Sequence, residues 1–321
     1  MRATALVISC SSLLWPAVTL AHGAAHADEP SLSVLTDWRP DPWSVALLAV
    51  SLAVYVRGTL RLSKRRTTAA PTGTRLPAVA FALGWVAMAV ALVSPLDTAS
   101  DLLFSAHMGQ HELLMGVVAP LFVFARPGVP ALWALPEGAR LSVGRALSHP
   151  LVRSSWRALT HPLVALVLHG AVRWVWHARP LFEAALESEA VHAFQHFTFF
   201  ASAALFWWAL VHGRYGRAGY GVGVLYVFAT ALHTGLLGAL FTFAETVWYP
   251  LYSERAAAHG IDAHEDQGLA GLIMWMPAGG LLALLGLALF GAWLAESQRR
   301  TDRAAAARLA KLKDDAPGGT P

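Results

Sequence analysis

The sequence predicts an all-α fold, a polytopic membrane bundle of seven transmembrane helices after an N-terminal signal segment, and three observations lead there. Only 14% of the 321 residues are charged while 56% are hydrophobic, against about 25% charged in an ordinary soluble domain. Seven apolar stretches approach or reach the roughly 20 residues that a helix needs to cross a bilayer. The connections between them alternate between basic and acidic, as they do in a chain threaded repeatedly through a membrane.

The first 27 residues combine one arginine, an apolar run from Ala3 to Leu20, and the small residues Ala25 and Ala27 flanking His26. This pattern fits an export signal cleaved after Ala27. The chain's one cysteine, Cys10, lies inside it. A mature chain would then hold no thiol, which excludes a disulfide fold and a thiolate metal site. The expected spans lie near 42–61, 76–95, 103–125, 161–178, 191–212, 218–243 and 266–294, so the membrane domain covers 28–296 and a basic tail covers 297–321. Pro77 suits the first turn of its helix, whereas Pro120 and Pro277 are expected to bend or interrupt theirs. The fourth span is the most polar, being interrupted by His169, Arg173 and His177.

Charge orients the bundle. Arg61, Lys64, Arg65, Arg66 and Arg75 follow the first span, Arg126, Arg140, Arg145, Arg153 and Arg157 the third, Arg214 and Arg217 the fifth, and Arg299, Arg300, Arg303, Arg308, Lys311 and Lys313 the seventh. Acidic or mixed connections hold Asp97 and Asp101, then Glu183, Glu187 and Glu189, then Glu245, Asp262, Glu265 and Asp266. Basic loops face the cytoplasm. The expectation is a multi-pass bacterial plasma-membrane protein with its mature N-terminus outside and its tail cytoplasmic. Orientation also accounts for the net charge of +4. No phosphate loop, repeat or aromatic-basic pattern suggests nucleic acid, so membrane lipids are the implied surroundings.

Histidine carries the chemistry. His107 and His111 open the third span and His192 and His196 the fifth, each pair four residues apart. On a helix such residues differ by about 40° in azimuth and one turn in height, so each pair shares a face. Ionisable groups inside a membrane are expensive, by roughly 2.5 to 3.5 kcal/mol at a helix centre for a charged residue on insertion scales, and usually mark function. With the N-terminus outside, nine of the fourteen histidines fall in the bundle or on its outer side. His107, His111, His192 and His196 form the leading metal set, with His169, His177 and His233 behind them. Imidazole binds copper, zinc, iron, nickel or haem iron. Histidines that merely hydrogen-bond across helices are the competing reading.

Around these lie possible supporting residues. Glu112 is offset by about 100° from His111 and could accept a bond from a ligand ring or pair with Arg173. Arg173 could instead snorkel outward. Gln110 and Gln195 could orient rings. Met274 and Met276, with Met108 and Met115, offer thioethers suited to Cu(I), although methionine in an apolar helix usually packs. An enzyme is less favoured. HELLM is no HExxH motif, yet a zinc-dependent intramembrane hydrolase using Glu112 or Glu245 as base, a haem-binding electron carrier and a metal-free scaffold all stand as alternatives.

Several ordered motifs carry a resemblance: SPLDTASDLLFSAHMGQHELLMGVVAPLFVFARP, WHARPLFEAAL, VHAFQHFTFFASAALFWWAL, LGALFTFAETVWYPLY and EDQGLAGLIMWMPAG. Across residues 41–296 the chain resembles the seven-helix CtaG-type family of cytochrome c oxidase assembly factors. The resemblance implies a helper, not an enzyme, in maturation of a haem-copper oxidase, supplying copper to the catalytic subunit; the expected donor is extracytoplasmic, and the thioethers favour Cu(I) over Cu(II). It also implies that His107, His111, His177, His192 and His196, with Asp266 and Gln267, are the characteristic positions. Glu112 stands where an apolar residue is more usual in the family pattern.

Overall fold

The computed structural model describes residues 38, 41–64, 75–213 and 219–314. The proposed signal segment, and with it Cys10, lies outside them. Every regular element described is helical. Six helices are long and apolar enough to cross a membrane, and a bent pair makes a seventh.

Helices α1 (Pro42–Lys64) and α2 (Arg75–Val93) lead into the short α3 (Pro95–Ser100). The third span follows as α4 (Phe104–Glu112), a π-helical turn at Leu113–Val118, and α5 (Ala119–Ala125). Pro120 explains that turn. A proline ring collides with the carbonyl four residues back and supplies no N–H, and the chain answers with a wider turn in which the Ala119 N–H reaches the Leu114 carbonyl. Pro120 thus interrupts the α-helix, as expected, within a span that continues from Phe104 to Ala125. At Pro277 the expected interruption does not occur. Helix α14 runs from Ala263 to Asp314 with Pro277 inside it, because membrane helices tolerate the lost bond and the alanine- and leucine-rich tail favours helix.

The fourth span departs from expectation. Helix α9 (Pro162–Trp176) has 15 residues, about 22 Å at 1.5 Å per residue, which is short of a hydrocarbon core of roughly 30 Å. It is preceded by α8 (Pro150–Leu159) at a bend of 67°. His161 is extended and Pro162 opens α9, as a residue before proline is steered away from helix. Ahead of α8, α6 (Gly128–Ala134) and α7 (Glu137–Ser148) complete the basic side. Arg61 donates there to the carbonyls of Ala134 and Leu135 at 2.9 and 2.8 Å, capping the end of α6.

The second half holds α10 (Arg179–Glu187), α11 (Glu189–His212), α12 (Tyr220–Thr242) and α13 (Pro250–Ala257) before α14. Helices α12 and α14 cross closely at glycine. A Cβ on Gly238 would lie 2.9 Å from the Gly271 carbonyl, and one on Gly271 would overlap Thr242. Small residues let backbones approach where lipid supplies no hydrophobic drive. The third span is the most deeply packed, whereas α1 and α14 are largely peripheral. Outward-facing Leu52, Leu83, Phe228, Leu232, Leu284 and Leu287 are exposed, the expected surface for a helix in lipid.

Candidate metal centre

Two hydrophobic cores border the rings, one through Phe182 and Tyr252 and the other through Phe199. Phe104, Met108, Phe182, Phe241, Tyr249, Tyr252 and Met274 pack together at the end of the bundle where α4, α11 and α14 begin. Asp266, in the first turn of α14, accepts from the Phe104 N–H at 2.7 Å, the Ser105 N–H at 3.3 Å and the Ser105 hydroxyl. A helix start leaves its first N–H groups without partners and is electropositive. A carboxylate from a distant helix therefore fixes the start of α4, one turn before His107. Gln267 works beside it, accepting from the Trp248 N–H at 2.7 Å and donating to the Thr246 carbonyl at 3.0 Å. That clamps the chain leading to Tyr249 and Tyr252.

The two i,i+4 pairs meet here. His107 and His111 from α4 and His192 and His196 from α11 each present one ring nitrogen, and the four atoms lie within 4.8 Å of one another. Ring centres are 4.3 Å apart for His107 and His111, 4.2 Å for His192 and His196, and 5.0 Å for His107 and His192. Four nitrogens at about 2.05 Å around one tetrahedral ion would be about 3.3 Å apart, so small ring rotations suffice. His107, His111 and His196 are buried. His192 keeps partial exposure and marks the side on which the set meets its surroundings.

Hydrogen bonding assigns a proton. The Tyr252 hydroxyl has one hydrogen, which it donates to the Ser100 carbonyl at 2.8 Å. It must therefore accept from His107 Nδ1–H at 3.0 Å, leaving a lone pair on His107 Nε2. That nitrogen has no hydrogen-bond partner, nor have His192 Nε2, His196 Nε2 or either nitrogen of His111. Buried polar atoms are normally paired. Four converging imidazoles, each with an unpartnered nitrogen and with no carboxylate or thiolate among them, fit a metal ion, and imidazole accommodates copper, zinc, iron and nickel alike.

The other expected residues are distributed differently. His177, where α9 ends, lies with its ring centre 6.4 Å from that of His111, adjacent to the set. His169 and His233 form a separate pair, 6.2 Å apart. His169 sits on the Ser202 hydroxyl at 3.3 Å and stacks on Phe206. His259 and His264 bind backbone carbonyls of Arg255 and Ala244. Glu112 pairs with Arg173 at 2.7 Å, and the guanidinium is buried, so Arg173 does not snorkel. Gln110 orients no ring; its amide donates to the Ala91 carbonyl and to Asp97, both at 2.7 Å. Gln195 faces His107. Met274 is buried but Met276 is 56% exposed, which breaks the expected thioether pair because residues two apart lie on opposite sides of a helix. Glu245 is exposed.

Two tyrosines escaped sequence reasoning. Tyr252 holds His107, and Tyr249 donates to the His177 carbonyl at 2.8 Å. The only available signal was the YPLY motif itself, whose tyrosines at i,i+3 share a face of α13 and its entry. Asp97, in sequence one charge of an acidic connection, lies in the first turn of α3. It accepts from Gln110, and burial raises its carboxyl to about 6, with the neighbouring Asp101 and Asp41 charges adding to the shift and the Gln110 bond opposing it.

Comparison with known proteins agrees with this architecture. Residues 53–296 match the family model described as cytochrome c oxidase caa3 assembly factor (Caa3_CtaG). The uncharacterized protein Mb0105 of Mycobacterium bovis is 28% identical over 288 residues, covering 84% of this chain and 41% of that protein. The uncharacterized protein MT0111 of Mycobacterium tuberculosis gives the same figures. The chain thus spans about two fifths of the length of these relatives. No solved structure matches it. With a match over most of its length and an all-helical membrane bundle, the chain belongs to the Caa3_CtaG family of cytochrome c oxidase assembly factors.

Proposed function

We propose that this protein handles copper during assembly of a haem-copper cytochrome c oxidase. The ion is cargo, received as Cu(I) from an extracytoplasmic donor and passed to the catalytic subunit. The observation that carries the reading is the convergence of His107, His111, His192 and His196 with their facing nitrogens unpartnered. A fully nitrogenous, neutral set adds no anionic ligand to hold the ion electrostatically, which suits a site that must also release it. Family membership supports the assembly role and a non-catalytic one. The hydrolase alternative loses support because Glu112 is committed to Arg173 and Glu245 is exposed.

The same reading places the histidine-bearing end outside the bacterial plasma membrane, with the basic end bearing Arg61 and Arg126 and the tail in the cytoplasm. Purified protein should take up Cu(I) in preference to Zn(II), and deletion in the native cell should lower the copper content of the oxidase. Normal oxidase copper in the deletion strain would overturn the assignment. Stable oxidase association without stoichiometric metal would point to a scaffold instead.

A further inference from the structure

Beside the four-ring set, one buried contact lacks an ordinary explanation. His177 Nε2 lies 3.4 Å from Met108 Sδ. The other ring nitrogen, Nδ1, is 2.7 Å from the Arg173 carbonyl. A carbonyl only accepts, so Nδ1 carries the hydrogen and donates it. In the neutral ring Nε2 is then a bare lone pair, directed at a thioether that also has only lone pairs to offer. No hydrogen lies between them. A doubly protonated ring would place a second buried cation beside Arg173, whose own charge already takes Glu112 as partner.

Both side chains are held in place. Met108 is fully buried and His177 is 3% exposed. Met108 lies one residue beyond His107 on α4, its sulfur against the His177 ring at the end of α9. The Tyr249 hydroxyl anchors the His177 carbonyl, and Phe182, Phe199 and Phe241 surround the His177 ring with centres 5.9, 5.9 and 5.7 Å away. Two ligands at roughly 2.0 Å (nitrogen) and 2.3 Å (sulfur) from one ion, at tetrahedral to trigonal angles, lie about 3.5 to 3.7 Å apart. The observed 3.4 Å is close to that spacing.

We propose that Met108 Sδ and His177 Nε2 form a second, soft Cu(I) site next to the four-histidine set. Thioether with imidazole selects Cu(I) over Zn(II). His111 joins the two sites. Both of its nitrogens are unpartnered, and its ring lies 5.1 Å from His196 on one side and 6.4 Å from His177 on the other. Passage between the sites is ligand exchange: the ion gives up imidazole nitrogens of the four-ring set and gains the thioether and His177 Nε2, remaining Cu(I) throughout. This exchange rests on the copper reading above, whereas the nitrogen–sulfur pair stands on its own contact.

The test is Cu(I) titration of the full-length protein in detergent against a chromogenic chelator, with X-ray absorption on each loaded form. The wild type should take two equivalents and show a sulfur scatterer. Met108→Leu, a swap that nearly conserves volume, should take one equivalent with nitrogen ligands only, and Zn(II) should not fill the second place. Joint replacement of His107, His111, His192 and His196 by alanine should leave one sulfur-ligated Cu(I); a wild type that takes only that same equivalent would uphold this pair while sinking the four-ring site. One nitrogen-only equivalent in both wild type and Met108→Leu would overturn the pair and leave the four-ring reading intact. No Cu(I) uptake by the wild type would overturn both. The sulfur signal of the wild type decides the matter even if the variant fails to fold.

Discussion

Tyr252→Phe tests whether the hydrogen-bond network prepares His107 as a ligand. The substitution keeps the ring and deletes one hydroxyl, which accepts from His107 Nδ1–H at 3.0 Å and donates to the Ser100 carbonyl at 2.8 Å. A buried hydrogen bond contributes about 1 kcal/mol net, and a stranded partner costs about 1 to 3 kcal/mol. The fold should therefore lose roughly 2 to 4 kcal/mol. Loss of a group that orients a ligand ring typically weakens metal binding 10- to 100-fold, or about 1.4 to 2.8 kcal/mol. The assay is chelator competition for Cu(I) in a Met108→Leu background, which leaves the four rings as the nitrogen site. Tyr226→Phe is the comparison, since it removes a buried hydroxyl bonded to the Phe206 carbonyl at 3.1 Å, outside the four-histidine set. Tyr226→Phe should cost stability and leave affinity within about threefold, the scatter expected between contexts for an uninvolved site. A folded Tyr252→Phe protein with unchanged affinity would refute the argued tautomer and its role.

Single alanine replacements at His107, His111, His192 and His196 should each weaken metal retention, with pairwise losses far from additive because the residues share one site; additive losses in the titration, or effects equalled by His149→Ala and His212→Ala, would separate them. Glu112→Gln strands a buried guanidinium and should destabilise by about 3 to 5 kcal/mol, read as a lowered melting temperature in detergent, whereas a silent change would show Arg173 to be satisfied elsewhere. Gly271→Val should push α14 off α12 and abolish cooperative melting, because its side chain would overlap Thr242; a normal melt would mean that the crossing is looser than the geometry shows. Asp97, raised to about 6 from an ordinary carboxylate near 3.8, favours folding in its neutral form. Its contribution is present below the unfolded value and is lost as pH rises through the folded value, so the wild type should lose stability relative to Asp97→Asn between about pH 4 and 6, and parallel pH profiles of the two proteins would exclude this.

The length and apolarity of the helices, the count of crossings and the pairing of His107 with His111 and of His192 with His196 followed from sequence because each is local. A stretch's hydrophobicity decides whether it enters lipid, and the helical repeat places residues four apart on one face. The bend before α9 was half visible, as the His161–Pro162 step and the polar residues that made the fourth span unusual. Proline marked a break in the α-helix at Pro120 but none at Pro277, since whether a helix breaks depends on neighbours that support a widened turn or a missing bond. Only the tertiary structure decided that α4 and α11 bring their pairs to one point while His169 and His233 meet elsewhere. It also decided that Asp266 caps α4, that Tyr252 sets the proton on His107, and that Met108 faces His177 across 69 positions of chain. Those contacts join residues far apart in sequence, and no local periodicity encodes which helix face meets which. The packing of whole helices, fixed by close crossings such as Gly238 against Gly271, makes that choice.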